Sequence, residues 1–340
     1  MPEPDSKKRA LSLFELNGRP PFRVALPIAL QHVIAMIVGC VTPAIIIAGV
    51  AHLSPADSVI LIQASLIAAA IGTALQLFPI GPRSGIHLGA GLPVIFGVSF
   101  AYVPSMQAIT EEFGIAAIFG AQVVGGLVAI LVGLCIRRIR HFFPPLVAGT
   151  VVFTVGLSLY PIAINYMAGG TSNSDYGSWQ NWLVALITLV IVTVLNHYGK
   201  GVWKLASILI GIIGGYIVAL FFGMIDFSSV AQASFFQLPK PMHFGIKFEP
   251  SACVAIGILF AINAVQAIGD FSATTTGSMD RMPTDEELTG GIVGYGISNI
   301  ICAFFGGLPT ATYSQNVGIV STTKVISRRV LGIAAAILMA

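Results

Sequence analysis

Long apolar runs separated by short polar breaks fill the chain from about residue 23 onward. About 20 residues are needed to cross about 30 Å of hydrocarbon. Runs near 24-50, 58-79, 115-136, 145-166, 180-198, 204-224, 251-274 and 287-306 therefore read as membrane-spanning helices. Two further segments, 86-104 and 308-325, are apolar but interrupted by small, polar and proline residues. Counted as crossings, they become spans 3 and 10, and an eleventh span opens at residue 329. The chain then stops mid-span at Ala340, and the pattern predicts a further C-terminal part.

The two interrupted spans share a feature. One reads Gly91-Leu92-Pro93-Val94-Ile95-Phe96-Gly97-Val98-Ser99-Phe100, the other Gly307-Leu308-Pro309-Thr310-Ala311-Thr312-Tyr313-Ser314-Gln315-Asn316. Each opens with Gly-Leu-Pro, passes through β-favouring residues and resumes a helical pattern. Span 3 runs outward and span 10 inward, as an inverted repeat of seven spans would place them, and paired broken segments point to a transporter's binding site. Two ordinary proline-kinked helices are the alternative. Extended backbone at membrane depth is tolerated only within protein or beside a cavity, so both segments are expected to line one.

Charge supports the same path. With a cytoplasmic N-terminus and every segment crossing, Lys7, Lys8, Arg9, Arg19, Arg23, Arg83, Arg137, Arg138, Arg140, Lys200, Lys204, Arg281, Lys324, Arg328 and Arg329 lie inside and only Lys240 and Lys247 outside, 15 against 2 of 17 basic residues. That bias follows the positive-inside rule and would be scrambled if either interrupted segment failed to cross. Composition removes the soluble alternative: 56% of the 340 residues are hydrophobic and 9% charged, against about 25% charged in a soluble domain. The polar start carries no short apolar stretch with a cleavage site, so no cleaved signal is read there. Cys40, Cys135, Cys253 and Cys302 fall in or beside apolar runs without ligand spacing and read as small core residues. No metal site and no nucleic-acid partner are expected.

Among the 14 acidic residues, Asp270 alone lies within a span. A carboxyl there costs about 2.5–3.5 kcal/mol on insertion scales and is a functional candidate by default, with a structural carboxyl as the alternative. Gln266 precedes it by four residues on the same helix face. Gln315 and Asn316 close the second extended stretch, where neighbours point to opposite sides. The amides of Gln266, Gln315 and Asn316 each offer a donor and an acceptor, the complement of a planar heterocycle with carbonyl and ring N–H groups; interhelical packing is the plainer role. His32, after Gln31, reads as an interior polar group.

The order Gln31-His32, then Gln266-Ala267-Ile268-Gly269-Asp270, then Gln315-Asn316-Val317-Gly318 with Thr323-Lys324, resembles the nucleobase/ascorbate transporter family, the uracil-xanthine permeases, from about Arg23 to Ala340. The resemblance implies an all-α polytopic membrane fold of inverted seven-span repeats, with two short antiparallel strands in broken spans 3 and 10 and with spans 12-14 beyond this chain. It implies a cytoplasmic tail (1-22), core-domain parts (23-136, spans 1-4, and 251-325, spans 8-10), a gate-domain part (137-224, spans 5-7) and the beginning of span 11 (326-340).

It further implies a secondary active transporter, not an enzyme, in a bacterial inner membrane. The substrate would be a nucleobase, xanthine or uric acid, carried with protons by alternating access and with no cofactor. Sodium in place of the proton, and pairing as a homodimer, stay open. The implied substrate residues are Gln266, Gln315, Asn316, Ser99 and Phe100, with Asp270 coupling the proton and His32, Gln31, Gly318 and Thr323 in support. The family's acidic residue of span 8 is matched here by Gln266, which leaves proton coupling to Asp270 or uncouples the site into a facilitator or receptor. An anion transporter or channel of the same fold, and a membrane enzyme using Asp270 and His32 as acid and base, are the other readings.

Overall fold

The computed structural model describes residues 12–81, 87–139, 145–170, 175–200, 202–205, 207–225 and 240–339. Lys7, Lys8, Arg9, Arg83 and Arg140 of the sidedness count lie outside the described residues. The chain divides into two compact units, Met1–Phe153 with Phe236–Ala340, and Thr154–Phe235.

The first unit contains α1 (Phe22–Val50), α2 (Pro55–Leu77), β1 (Phe96–Val98), α3 (Val103–Phe113) and α4 (Ile115–Ile139). Helix α5 (Pro145–Ser158) runs across the boundary between the units, and the second unit continues with α6 (Tyr160–Met167), α7 (Trp179–Tyr198), α8 (Val202–Leu205) and α9 (Ser207–Phe221). The first unit then resumes with α10 (Pro250–Met279), α11 (Asp285–Phe304), β2 (Thr310–Thr312), α12 (Ser314–Thr323) and α13 (Arg328–Met339). Among the described residues six helices are long and apolar enough to cross a membrane: α1, α2, α4, α7, α10 and α11. The expected run 145-166 forms two helices because Pro161, which has no N–H to continue the ladder of α5, sits in the first turn of α6.

Within the first unit the contacts between connecting segments fall into two separate sets. At one end Gly89 N donates to Gly290 O (2.8 Å), and Ser327 N donates to Leu13 O (3.2 Å). At the other end Met242 N donates to Phe304 O (2.7 Å), Lys247 N donates to Ala116 O (3.0 Å), and His243 Nε2 meets Asp57 Oδ1 at 2.8 Å. The interrupted segments lie between these ends, so each carries the chain from one end toward the other. Leu127, Leu131 and Leu134 on α4 face outward, as lipid-facing positions do.

Helices α4 and α11 pack at a crossing that only glycine permits. A Cβ on Gly126 would stand 2.7 Å from Gly296 O, and one on Gly296 2.5 Å from Gly126 O. Small residues let helix backbones approach where apolar burial gives no net drive, because lipid is as apolar as leucine.

The strands pair antiparallel, as the family resemblance implies, in the register Phe96↔Thr312, Gly97↔Ala311 and Val98↔Thr310, with every residue buried. Each has one free edge, and buried backbone groups without water must find partners in protein. On β1 the edge is covered by Thr73 of α2, whose Oγ1 accepts from Phe96 N (3.0 Å) and donates to Phe96 O (3.2 Å). On β2 it is covered by Asn299 of α11, whose Oδ1 accepts from Thr310 N (2.8 Å) and whose Nδ2 donates to Thr310 O (3.2 Å). The shared Gly-Leu-Pro is not equivalent in the two segments: the run starting at Gly91 reaches its strand at Phe96, the one starting at Gly307 already at Thr310.

Candidate functional site

Helix α10 carries Gln266 and Asp270 one turn apart, toward the end of β2 and the start of α12. Asp270 is 7% exposed. Its carboxyl accepts from the Thr312 hydroxyl and from Ser314 Oγ, the latter at 2.9 Å, and the Gln266 side chain hydrogen-bonds to it as well. No Lys, Arg or His pairs with it among the described residues. The carboxyl is thus held by neutral groups only, from the helix on one side and from the strand-to-helix junction on the other.

A second polar contact joins α1 to α12. Asn316 Nδ2 donates to His32 Nδ1 (3.1 Å) and to His32 O (3.2 Å). Because Nδ1 accepts, the ring proton sits on Nε2; that atom and Asn316 Oδ1 are buried without a partner among the described residues.

Gln315 and Asn316 do not lie in extended backbone. The strand ends at Thr312 and α12 begins at Ser314, so both amides occupy the first helical turn. The antiparallel register explains this: the end of β2 faces the start of β1, where Tyr313 N donates to Ile95 O (2.9 Å), and just before Ile95 the chain turns on itself, with Val94 N donating to Leu92 O (2.8 Å), so β2 has nothing further to pair with. Asn316 is buried against His32, whereas Gln315 is exposed beside Ser314. Ser99 and Phe100 are half-buried at the junction, with Ser99 N donating to Pro309 O (3.1 Å). Gln31 is half-buried on α1, and Gly318 is exposed one turn after Ser314. Thr323 is not brought to this place: it sits at the far end of α12, where its Oγ1 donates to Ile319 O (2.8 Å) and accepts from Val325 N.

Sequence reasoning missed four residues. Thr312 and Ser314 hold Asp270, and Asn299 fixes β2. Tyr313 N donates to Ile95 O (2.9 Å) and its hydroxyl donates to Val98 O (2.9 Å), while its ring lies so close that a Cβ on Gly97 would stand 2.4 Å from Tyr313 Cε2. The period-two alternation of Thr310 and Thr312 was the available signal for the first of these. Nothing in the pattern marks Asn299.

Residues 23–340 match the model of the Permease family Xan_ur_permease, the nucleobase/ascorbate transporters. The chain belongs to this family. The permease is 34% identical to the uric acid permease PucJ of Bacillus subtilis over 98% of this chain and 72% of the relative. It is 32% identical to the xanthine permease XanQ of Escherichia coli over 94% of this chain and 70% of the relative. Among solved structures, the transmembrane domain of a cyanobacterium bicarbonate transporter, BicA, superposes with a TM-score of 0.63 at 16% identity, covering 92% of this chain and 81% of that one. SLC26A9 gives 0.57 at 11% identity, over 99% and 57%. These two share the fold. The family is one of integral membrane transporters, not enzymes, which removes the reading of Asp270 and His32 as a catalytic acid and base.

Proposed function

We propose that this permease imports a nucleobase, a xanthine- or urate-like purine, with protons and by alternating access. The observation that carries the reading is the Asp270 carboxyl, buried within α10 with no Lys, Arg or His paired to it among the described residues and shared between α10 and the β2–α12 junction. Protonating it turns an acceptor of hydroxyl bonds into a group that also donates. That rearranges the contacts of Thr312, Ser314 and Gln266, and coupling requires a protonation that changes the site or its access equilibrium. Gln266 and Gln315 would then take the carbonyl and N–H edge of the base, Ser99, Phe100 and Asn316 would bound it, and His32, Gln31 and Gly318 would support that wall, with Thr323 ending α12. The names of the relatives, uric acid and xanthine permeases, support a purine.

On this reading α1–α4 and α10–α12 form the core, and residues 137-224 belong to the gate. The inverted repeat is supported by the paired edge coverings, Thr73 from span 2 and Asn299 from span 9. The N-terminus is cytoplasmic in a bacterial plasma membrane, on the strength of the basic-residue bias.

An anion carrier of the same fold would place a cation at the site beside its helix N-termini; α12 does begin here, at Ser314, but no Lys or Arg pairs with the site's side chains among the described residues. The polar side chains gathered here are a carboxyl, amides, hydroxyls and the His32 imidazole. Uptake of labelled xanthine by cells expressing the full-length protein, with unlabelled urate, uracil and ascorbate as competitors, tests the substrate. Saturable uptake displaced by urate is expected; uptake of bicarbonate or another anion without that of any base would overturn it.

A further inference from the structure

At the end of the first unit where the N-terminal segment meets α13, a cleft of about 530 Å³ is lined by Arg19, Arg328, Arg329, Asn17, Leu16 and Phe78, with Gly18 at its back. The half-buried Arg328 is fixed: its Nε and Nη2 donate to Gly91 O (3.1 and 2.5 Å), and its Nη1 donates to Asn17 Oδ1 (3.1 Å). All of these acceptors are neutral. Arg19 and Arg329 are exposed at the rim.

No ion pair engages any of the three guanidiniums among the described residues. Glu287, whose field reaches Arg328, is already taken by Arg281 Nη1 and Nη2 at 2.8 and 2.6 Å. Asp280 faces Lys324 at 3.8 Å, and Glu15 is not in the cleft wall. Arg328 and Arg329 also open α13, where the helix dipole adds positive potential instead of offsetting it. Three like charges and a helix N-terminus thus converge with no carboxylate paired to them among the described residues. Self-repulsion of this kind is relieved by an anion, and guanidinium forks match the oxygens of a phosphate. The cleft's other wall is apolar: Phe78 is 52% exposed, and its chain neighbour Ile80 is 63% exposed. Basic side chains beside exposed aromatic and aliphatic ones are what a bilayer boundary selects.

We propose that this cleft binds an anionic phosphate group, Arg19 and Arg329 closing on it from the rim while Arg328 holds the floor. The group can come from the headgroup of an anionic phospholipid, with Leu16 and Phe78 along its chains, or from a free phosphate, and the test separates the two.

Full-length protein in neutral detergent would be given phosphatidylglycerol, phosphatidylcholine or inorganic phosphate at fixed ionic strength. Lipid retention would be read by native mass spectrometry and protection by the unfolding midpoint. The R19Q/R329Q double variant removes rim side chains with no hydrogen bond among the described residues, so the fold is kept; K240Q/K247Q removes the same net charge at the other end. Phosphatidylglycerol retained over phosphatidylcholine, about thirtyfold more weakly by R19Q/R329Q and unchanged in K240Q/K247Q, assigns a lipid headgroup. Protection by inorganic phosphate, lost in R19Q/R329Q and without lipid preference, assigns a free phosphate. Equal retention of both lipids with no phosphate effect, or a preference that survives R19Q/R329Q, overturns the site.

Discussion

Replacing Thr73 by valine isolates what the strand edges need. The side chain is fully buried, and its single hydroxyl serves both backbone groups of Phe96, accepting at 3.0 Å and donating at 3.2 Å. Valine has nearly the same shape, so packing is conserved and no cavity opens. What is lost is the only partner, among the described residues, of one N–H and one C=O in the buried interior. Each unsatisfied group costs about 1–3 kcal/mol, while hydrogen bonds measured within membranes average about 0.6 kcal/mol. The expected destabilisation is therefore about 1–4 kcal/mol, or a fall of roughly 3–12 °C in unfolding midpoint for a unit of this size.

Thr42→Val is the matched control, because Thr42 Oγ1 donates only to Val38 O of its own helix (2.8 Å), a carbonyl the helix already satisfies. The assay is thermal unfolding of purified protein in detergent, with Thr73→Ser expected to restore most of the loss. A Thr73→Val midpoint no lower than that of Thr42→Val would refute the edge-covering argument.

Other expectations follow from the same contacts. Asn299→Leu strips both outward groups of Thr310 and also an acceptor of Gln122 Nε2 (3.3 Å), so its unfolding midpoint should fall at least as far as that of Thr73→Val. Gly126→Leu, which forces a Cβ to 2.7 Å from Gly296 O, should abolish the monodisperse peak in size-exclusion chromatography, whereas leucine at the open Gly49 should leave it intact. Gln315→Ala, at an exposed position, should leave the unfolding midpoint within about 1 °C and raise the KM for purine uptake several-fold; an unchanged KM would remove Gln315 from the site.

Much of the fold is legible in the sequence because lipid imposes a one-dimensional rule: about 20 apolar residues per crossing and no stray charge. Asp270 stands out for that reason alone, and Pro93 and Pro309 mark the two broken spans before any pairing is known. The rest is written in contacts distant along the chain. Thr73 and Asn299 sit in apolar helices where a lone hydroxyl or amide has no periodic signature, and their purpose appears only when a strand edge is laid against them. The helical placement of Gln315 and Asn316 was hidden because Ser314-Gln315-Asn316 has no strong preference, and the point where β1 begins, far away in sequence, decides where β2 must stop. The hydroxyls on Asp270 come from that same junction, so the environment of the key carboxyl was unreadable while its depth was plain.

The most direct test of the account is uptake of labelled xanthine by cells expressing the full-length protein or its Asp270→Asn variant, with and without a protonophore. The account predicts concentrative uptake by the wild type that collapses when the proton gradient is removed, and in the variant no accumulation above equilibrium although the protein is inserted at normal abundance. Concentrative, protonophore-sensitive uptake by Asp270→Asn would contradict it and move proton coupling to another group.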